Sequence, residues 1–168
     1  KVEDLPDMEY DNNCNLLKTN ALDLSESYFA PNNMVRPMSE NDDEIIVFAP
    51  YFPEYQVFIT SAGAKVVEVK CKEDDLQIDL EAFKNAINEH TKAVVLNSPN
   101  NPSGVVTSEE TVIKMTEILR EKEKEYGNAI YLISDEPYRE ILFEDAVHCY
   151  IPHYYKNTIV GYSYSKSL

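Results

Sequence analysis

Glycine is the scarcest structural resource in this chain, four residues in 168, against an average share of about 7%. So few leave little material for the glycine-rich turns that cradle phosphate. Positive charge is also short. Lys and Arg number 15 against 30 Asp and Glu, a net charge of −15, with acidic patches at residues 40–44 and 73–75. That balance repels a phosphate backbone and excludes nucleic acid as a partner. Three cysteines, Cys14, Cys71 and Cys149, lie far apart without a CxxC. An odd, scattered set excludes a disulfide framework, fits a reducing cytoplasm, and is expected to be buried or half-buried thiols. No apolar run approaches the roughly 20 residues that cross a bilayer, and no signal-like segment opens the chain, so a cytoplasmic protein with no membrane partner is expected. What is present, 43% hydrophobic residues, suffices for one ordinary domain with a real core.

From residue 44 the pattern is regular. "EIIVFAP" is an apolar run ended by proline, and "AKVVEVKC" is a second, β-branched one, so both read as strands. In "DLEAFKNAINEH" Leu80, Phe83, Ala86 and Ile87 share one helical face after an Asp79 cap, with His90 closing the helix. "KAVVLNSPNNPSG" reads as a strand and a turn. Thr107 and Glu110 offer a capping box for a helix whose stripe is Val112, Met115, Ile118 and Leu119 and whose stop is Gly127. "AIYLISDEPY" and "NTIVGYSYSK" are further strands with polar ends. Strands alternating with amphipathic helices predict an α/β domain over residues 45–168, with a mainly parallel sheet flanked by helices. Residues 1–44, rich in Asp, Asn, Glu and Ser without a sustained period, are expected to form an irregular arm or cap.

Open parallel sheets bind ligands outside the carboxyl ends of their strands. That rule selects Phe52 after the first strand, Asn101 after the third, Asp135 and Tyr138 after the fourth, and Lys166 after the last. Singly, each has a plain reading: a solvated lysine, a capping aspartate, a proline-rich turn. Together they bring an acid, a phenol, an amide and an amine to one rim.

The motifs at these four places resemble those of the pyridoxal 5′-phosphate-dependent enzymes of fold type I, specifically the class I/II aminotransferases. "SPNNPSG" is similar to their Asn-Pro-(Thr/Ser)-Gly turn, "SDEPY" to their Asp-x-x-Tyr strand end, "SYSKS" to their Ser-x-Ser-Lys Schiff-base motif, and "APYFPEY" to the segment placing an aromatic ring over the cofactor. The resemblance implies the large domain of that fold, amino-group transfer between an amino acid and a 2-oxo acid, and a homodimer. By the same resemblance Lys166 is the Schiff-base lysine and proton shuttle, and Asp135 pairs with the pyridine nitrogen. Tyr138 and Asn101 bond the ring 3′-oxygen, Phe52 stacks on the ring, and Ser163 contacts the phosphate. A carboxylate about 4 Å from the ring nitrogen contributes roughly 4 kcal/mol at an effective dielectric near ~20, enough to keep that nitrogen protonated.

Members of that family run to more than twice this length and carry an arginine for the phosphate and another for the substrate carboxylate. Here only Arg36, Arg120 and Arg139 occur, none at either motif position, and residues 10–44 hold no glycine-rich phosphate turn. The expectation is therefore a piece of a longer or rearranged protein, weak in cofactor binding by itself. Two other readings stay open: another reaction of the same scaffold, such as C–S β-elimination or aminocyclopropane-carboxylate synthesis, and a catalytically silent domain of aminotransferase shape. "HCYIPH", with His148, Cys149 and His153, fits no standard zinc spacing and reads as surface loop, so no metal is expected. Asp42, Asp43 and Glu44 read as a solvated turn, and Tyr150, Tyr154 and Tyr155 as core edge or interface.

Overall fold

A strand covered on both faces reads as an unbroken apolar run, whereas an edge strand alternates. Both kinds occur in the computed structural model, which describes residues 9–10, 16–18, 42–143 and 146–166. β1 (Glu9–Tyr10) and β2 (Leu16–Lys18) form a small antiparallel pair. The main sheet holds β3 (Glu44–Ala49), β4 (Lys65–Lys70), β5 (Thr91–Asn97), β6 (Tyr131–Asp135) and β7 (Thr158–Gly161), in the order β4-β3-β5-β6-β7 with every neighbouring pair parallel. β3 and β5 lie inside and are buried almost throughout, while β4 at the edge exposes Lys65, Glu68 and Lys70. Helices α1 (Glu54–Ser61), α2 (Leu80–Ala86) and α3 (Glu109–Tyr126) make the crossovers. The α/β parallel sheet expected from the alternating pattern is the observed architecture.

The pleat divides the core into two layers, because successive side chains point to opposite faces. Ile46, Phe48, Val94, Leu96 and Leu132 pack with Phe83 of α2 and with Val112, Met115 and Leu119 of α3. Ile45, Val47, Ala93, Val95 and Ile133 pack with Tyr55 and Ile59 of α1. Asp79 caps α2 as expected, its carboxylate accepting from the amides of Glu81 and Ala82 at 3.0 Å each. Gly127 ends α3 at φ 73°, and its N–H donates to Glu123 O at 2.9 Å, a left-handed stop that a side chain would strain.

Three sequence expectations are corrected. The cap of α3 is Ser108, whose hydroxyl accepts from Thr111 N at 3.2 Å. Thr107 is buried instead, its amide donating to Ser98 Oγ at 3.0 Å, because the turn before α3 folds back on itself. His90 does not close α2, which stops at Ala86; His90 lies in the turn before β5, where its carbonyl accepts from Glu44 N at 2.8 Å. Glu44 itself opens β3 and is no part of a solvated turn, whereas Asp42 is exposed and pairs with Lys65 at 2.7 Å. Helix α1 was not visible beforehand. Most of residues 1–44, Cys14 and Arg36 included, lies outside the described residues. No described helix is long and apolar enough to cross a membrane.

His148 stands in a loop, as expected, but its ring is largely covered. Its Nε2 lies 3.1 Å from Oε2 of Glu136, a carboxylate 0% exposed that also accepts from Ser134 Oγ at 2.6 Å and has Arg139 at 3.6 Å. Cys149 is half-buried beside it, and His153 is exposed in the 3-10 turn Ile151–His153. Cys71 is half-buried too, and burial pushes both thiols up from their ordinary value. Tyr155 belongs to the core, its hydroxyl donating to Ile130 O at 2.7 Å. Among the described residues no three His, Cys, Asp or Glu converge on a metal-sized site.

Burial alone would push the Glu136 carboxyl up, but the His148 contact, the Ser134 hydroxyl and the charges of His148 and Arg139 outweigh it and hold it below the usual carboxylate value. Its folded pKa is below its unfolded one, so the stabilisation is present above about pH 4 and is lost as pH falls through the lowered value. Glu136→Gln is therefore expected to be less stable than the unsubstituted chain at neutral pH, with the gap closing on acidification, as read by urea unfolding across pH. A gap constant with pH would contradict this. Ser108→Ala is expected to cost about 1 kcal/mol in the same assay, and Glu110→Ala to change little.

Candidate functional site

The chain leaves β3 toward β4 on one side of the sheet and returns to β5 on the other, so β3 and β5 flank the point where strand order reverses. Crevices for ligands open there, beyond the carboxyl ends. Phe52 follows β3 and Asn101 follows β5. Asp135 is the last residue of β6 and pairs in register with Asn97 of β5 on one side and Gly161 of β7 on the other. Lys166 ends the 3-10 turn Tyr164–Lys166 after β7.

Four of the expected residues are linked by two that sequence reasoning missed. Tyr55, in the first turn of α1, donates its hydroxyl to Oδ2 of Asp135. Its ring meets Phe52 edge-on at 5.7 Å. Asn97 is buried at the end of β5, where its Nδ2 donates to the Asp135 carbonyl at 2.9 Å and its Oδ1 accepts from Asn101 N at 2.7 Å. The Asn101 amide in turn reaches the Tyr138 hydroxyl in a long contact of 3.5 Å. Phe52, Asn101, Asp135 and Tyr138 therefore stand in one connected group, with Tyr55 and Asn97 as its internal struts.

Electrostatics favour a cation at Asp135. Burial raises its carboxyl above the usual range; the Tyr55 bond works against that rise, and the Glu136 charge adds to it. The Tyr55 phenol is pushed far up, first by burial and then by the charge of Asp135 and the hydrogen bond to it, so it stays a donor. A buried carboxylate with one oxygen held by a phenol is completed by a hydrogen-bonding cation such as a protonated pyridine. Asp135 retains partial exposure, which keeps it reachable from the rim. The pyridine end of the expected cofactor fits this donor set.

The phosphate end is less provided for. Ser163 is exposed, and its hydroxyl is used within its own turn, donating to Ser165 Oγ at 2.8 Å and accepting from Ser165 N at 3.1 Å. Arg120 donates to Tyr154 O and lies over the Tyr155 ring, and Arg139 pairs with Glu136. Both guanidiniums are thus engaged by groups of the chain itself. Lys166 is exposed. Beneath the rim a cavity of about 30 Å³ is lined by Tyr55, Asn97, Asn100 and Ser103 among others. It has room for water and not for a ring, so any ring would lie on the open side of the rim.

A signal for Tyr55 did exist: Pro53 followed by Glu54 marks a helix start, and the tyrosine falls in the first turn. Asn97 carried none, since an asparagine ending a strand ordinarily belongs to the turn.

Comparison with known proteins bears on the family and the fold. The family profile described as "Aminotransferase class I and II" matches residues 31–168. The chain is 37% identical over 115 residues to a probable aspartate/prephenate aminotransferase of Thermus aquaticus, covering 68% of this chain and 28% of that protein. It is 36% identical over 110 residues to an aspartate aminotransferase of Bacillus subtilis, covering 65% and 26%. A solved amino transferase of Eubacterium rectale superposes with a TM-score of 0.78 at 49% identity over 79% of this chain and 34% of that one. A mutant of Thermus thermophilus aspartate aminotransferase does so with 0.73 at 32% identity, covering 81% and 36%. The chain thus spans about a quarter to a third of the length of these relatives. By its sequence match and its fold, the chain belongs to the class I and II aminotransferase family.

Proposed function

We propose that the protein carrying this chain transfers an amino group between an amino acid and a 2-oxo acid with pyridoxal 5′-phosphate, and that residues 45–168 form its cofactor-binding segment. The observation that carries the reading is Asp135, a half-buried carboxylate at the crevice, held by Tyr55 and grouped with Tyr138 and Asn101. Bound there, the cofactor supplies an electron sink for the pair left when a bond to the amino acid Cα breaks. The Asp135 carboxylate holds a proton on the ring nitrogen, and Tyr55 keeps that carboxylate ionised and oriented. Tyr138 and Asn101 would donate to the ring oxygen, Phe52 would cover the ring, and Ser163 would supply a hydroxyl for the phosphate. Lys166 would hold the cofactor through Nζ, and its amine would move the proton at Cα.

Homodimerisation and a cytoplasmic location belong to the same reading, the second supported by the scattered cysteines, of which Cys71 and Cys149 are free. A silent domain is the competing reading. It is favoured by the engagement of Arg120 and Arg139 with groups of the chain itself, and an absorption band that bleaches on adding amino acid would decide against it.

Borohydride reduction of the protein mixed with pyridoxal 5′-phosphate is expected to leave a pyridoxyl group on Lys166 by peptide mapping, and Lys166→Ala to remove it. A label on another lysine would overturn the assignment. Tyr55→Phe removes the bond that works against burial at Asp135, so the carboxyl pKa rises further. The acid limb of cofactor binding is then expected to move to higher pH by roughly one unit of pH, and an unmoved limb would show that Tyr55 has no such role.

A further inference from the structure

The turn after β6 presents Tyr138 and the turn after β7 presents Lys166. The backbone ladder between these strands runs as far as Glu136 N, which donates to Gly161 O at 2.7 Å. Beyond that point side chains take over. The Arg139 guanidinium lies 3.7 Å from the centroid of the Tyr162 ring, well within the reach of about 6 Å at which a cation is attracted to an aromatic face. On its other side it lies 3.6 Å from Glu136 Oε2 and 4.0 Å from Glu140 Oε1. The Tyr162 hydroxyl donates to Glu140 Oε1 at 2.8 Å, which holds the ring at its rim as well as its face. Tyr162 then meets Tyr164 edge-on at 5.1 Å, and Tyr164 opens the short helical turn that ends at Lys166.

One path of contacts therefore runs from a fully buried carboxylate to the turn of the lysine. Arginine suits the middle of it, because a planar guanidinium can pair through its edge and stack through its face at once, which an ammonium cannot. Glu136 is fixed independently by Ser134 and His148, so the guanidinium has a rigid anchor. An exposed lysine on a short turn has many orientations, and holding its turn in place reduces the ordering that bond formation requires.

We propose that Arg139 is a positioning residue: held by Glu136, it stacks on Tyr162 and so fixes the turn presenting Lys166 relative to the turn presenting Tyr138. This rests on Lys166 being the cofactor lysine. The test is a titration of the purified protein with pyridoxal 5′-phosphate, followed by the visible band of the bound cofactor, with borohydride mapping of Lys166 and a thermal midpoint for each variant. Arg139→Leu and Tyr162→Ala are expected to raise the half-saturating concentration by roughly three- to tenfold with thermal midpoints near that of the unsubstituted protein. Tyr162→Phe, which keeps the ring face, is expected to bind nearly as well as the unsubstituted protein. The double variant is expected to be no worse than the worse single one, as for two ends of one contact. Should Tyr162→Ala fail to fold, Arg139→Leu decides alone, since that side chain is 32% exposed and leaves no cavity in the core. Unchanged half-saturation in these variants, additive losses, or a loss in Tyr162→Phe equal to that in Tyr162→Ala would each overturn the role while Lys166 is still labelled. A label absent from Lys166 in the unsubstituted protein would overturn both this role and the function proposed above.

Discussion

Three parallel strands end at one level, and the rim group depends on that alignment. The register that pairs Asn97 with Asp135, and Asp135 with Gly161, places a buried amide, a buried acid and the start of the lysine turn side by side. Parallel pairing makes this possible because every strand delivers its carboxyl end to the same edge of the sheet. The crossovers through α2 and α3 return the chain to the far edge each time, so the chemistry-bearing loops accumulate on one side. Asn97 then converts alignment into fixation, since a single side chain bonds both the Asp135 carbonyl and the Asn101 amide. The two hydrogen bonds set the distance between two loops that would otherwise move separately.

Much of this architecture is legible in the chain because the signals are local and redundant. Apolar runs mark β3 and β5 as interior strands, a capping aspartate marks α2, and the left-handed Gly127 marks the end of α3. The positions at the strand ends follow from the sheet rule without any knowledge of contacts, and Phe52, Asn101, Asp135 and Tyr138 stand where that rule puts them.

What escaped has physical reasons as well. Helix α1 buries only Tyr55 and Ile59, leaves Val57 exposed, and so shows too narrow an apolar stripe to stand out. The cap of α3 slipped by one residue because Thr107 and Ser108 carry the same kind of hydroxyl, and the choice between them is made by Ser98 in the preceding turn. His148 and Glu136 are 12 residues apart, and nothing local announces that a histidine in a loop will meet a carboxylate at the end of a strand. Contacts of this kind are properties of the folded chain, and they account for most of the site's internal struts.

Asp135 and Glu136 are consecutive acids with opposite proton affinities, one raised and one lowered. The pleat separates them, sending the first toward the layer with Tyr55 and the second toward Ser134 and His148. Shifting β6 by a single position would turn every one of its side chains to the opposite face, so that Asp135 would lose Tyr55 and Glu136 would lose His148. A one-residue insertion in this strand would thus take the Tyr55-held acid away from the crevice even where the sheet still formed, which ties the fidelity of a structural frame directly to a chemical property.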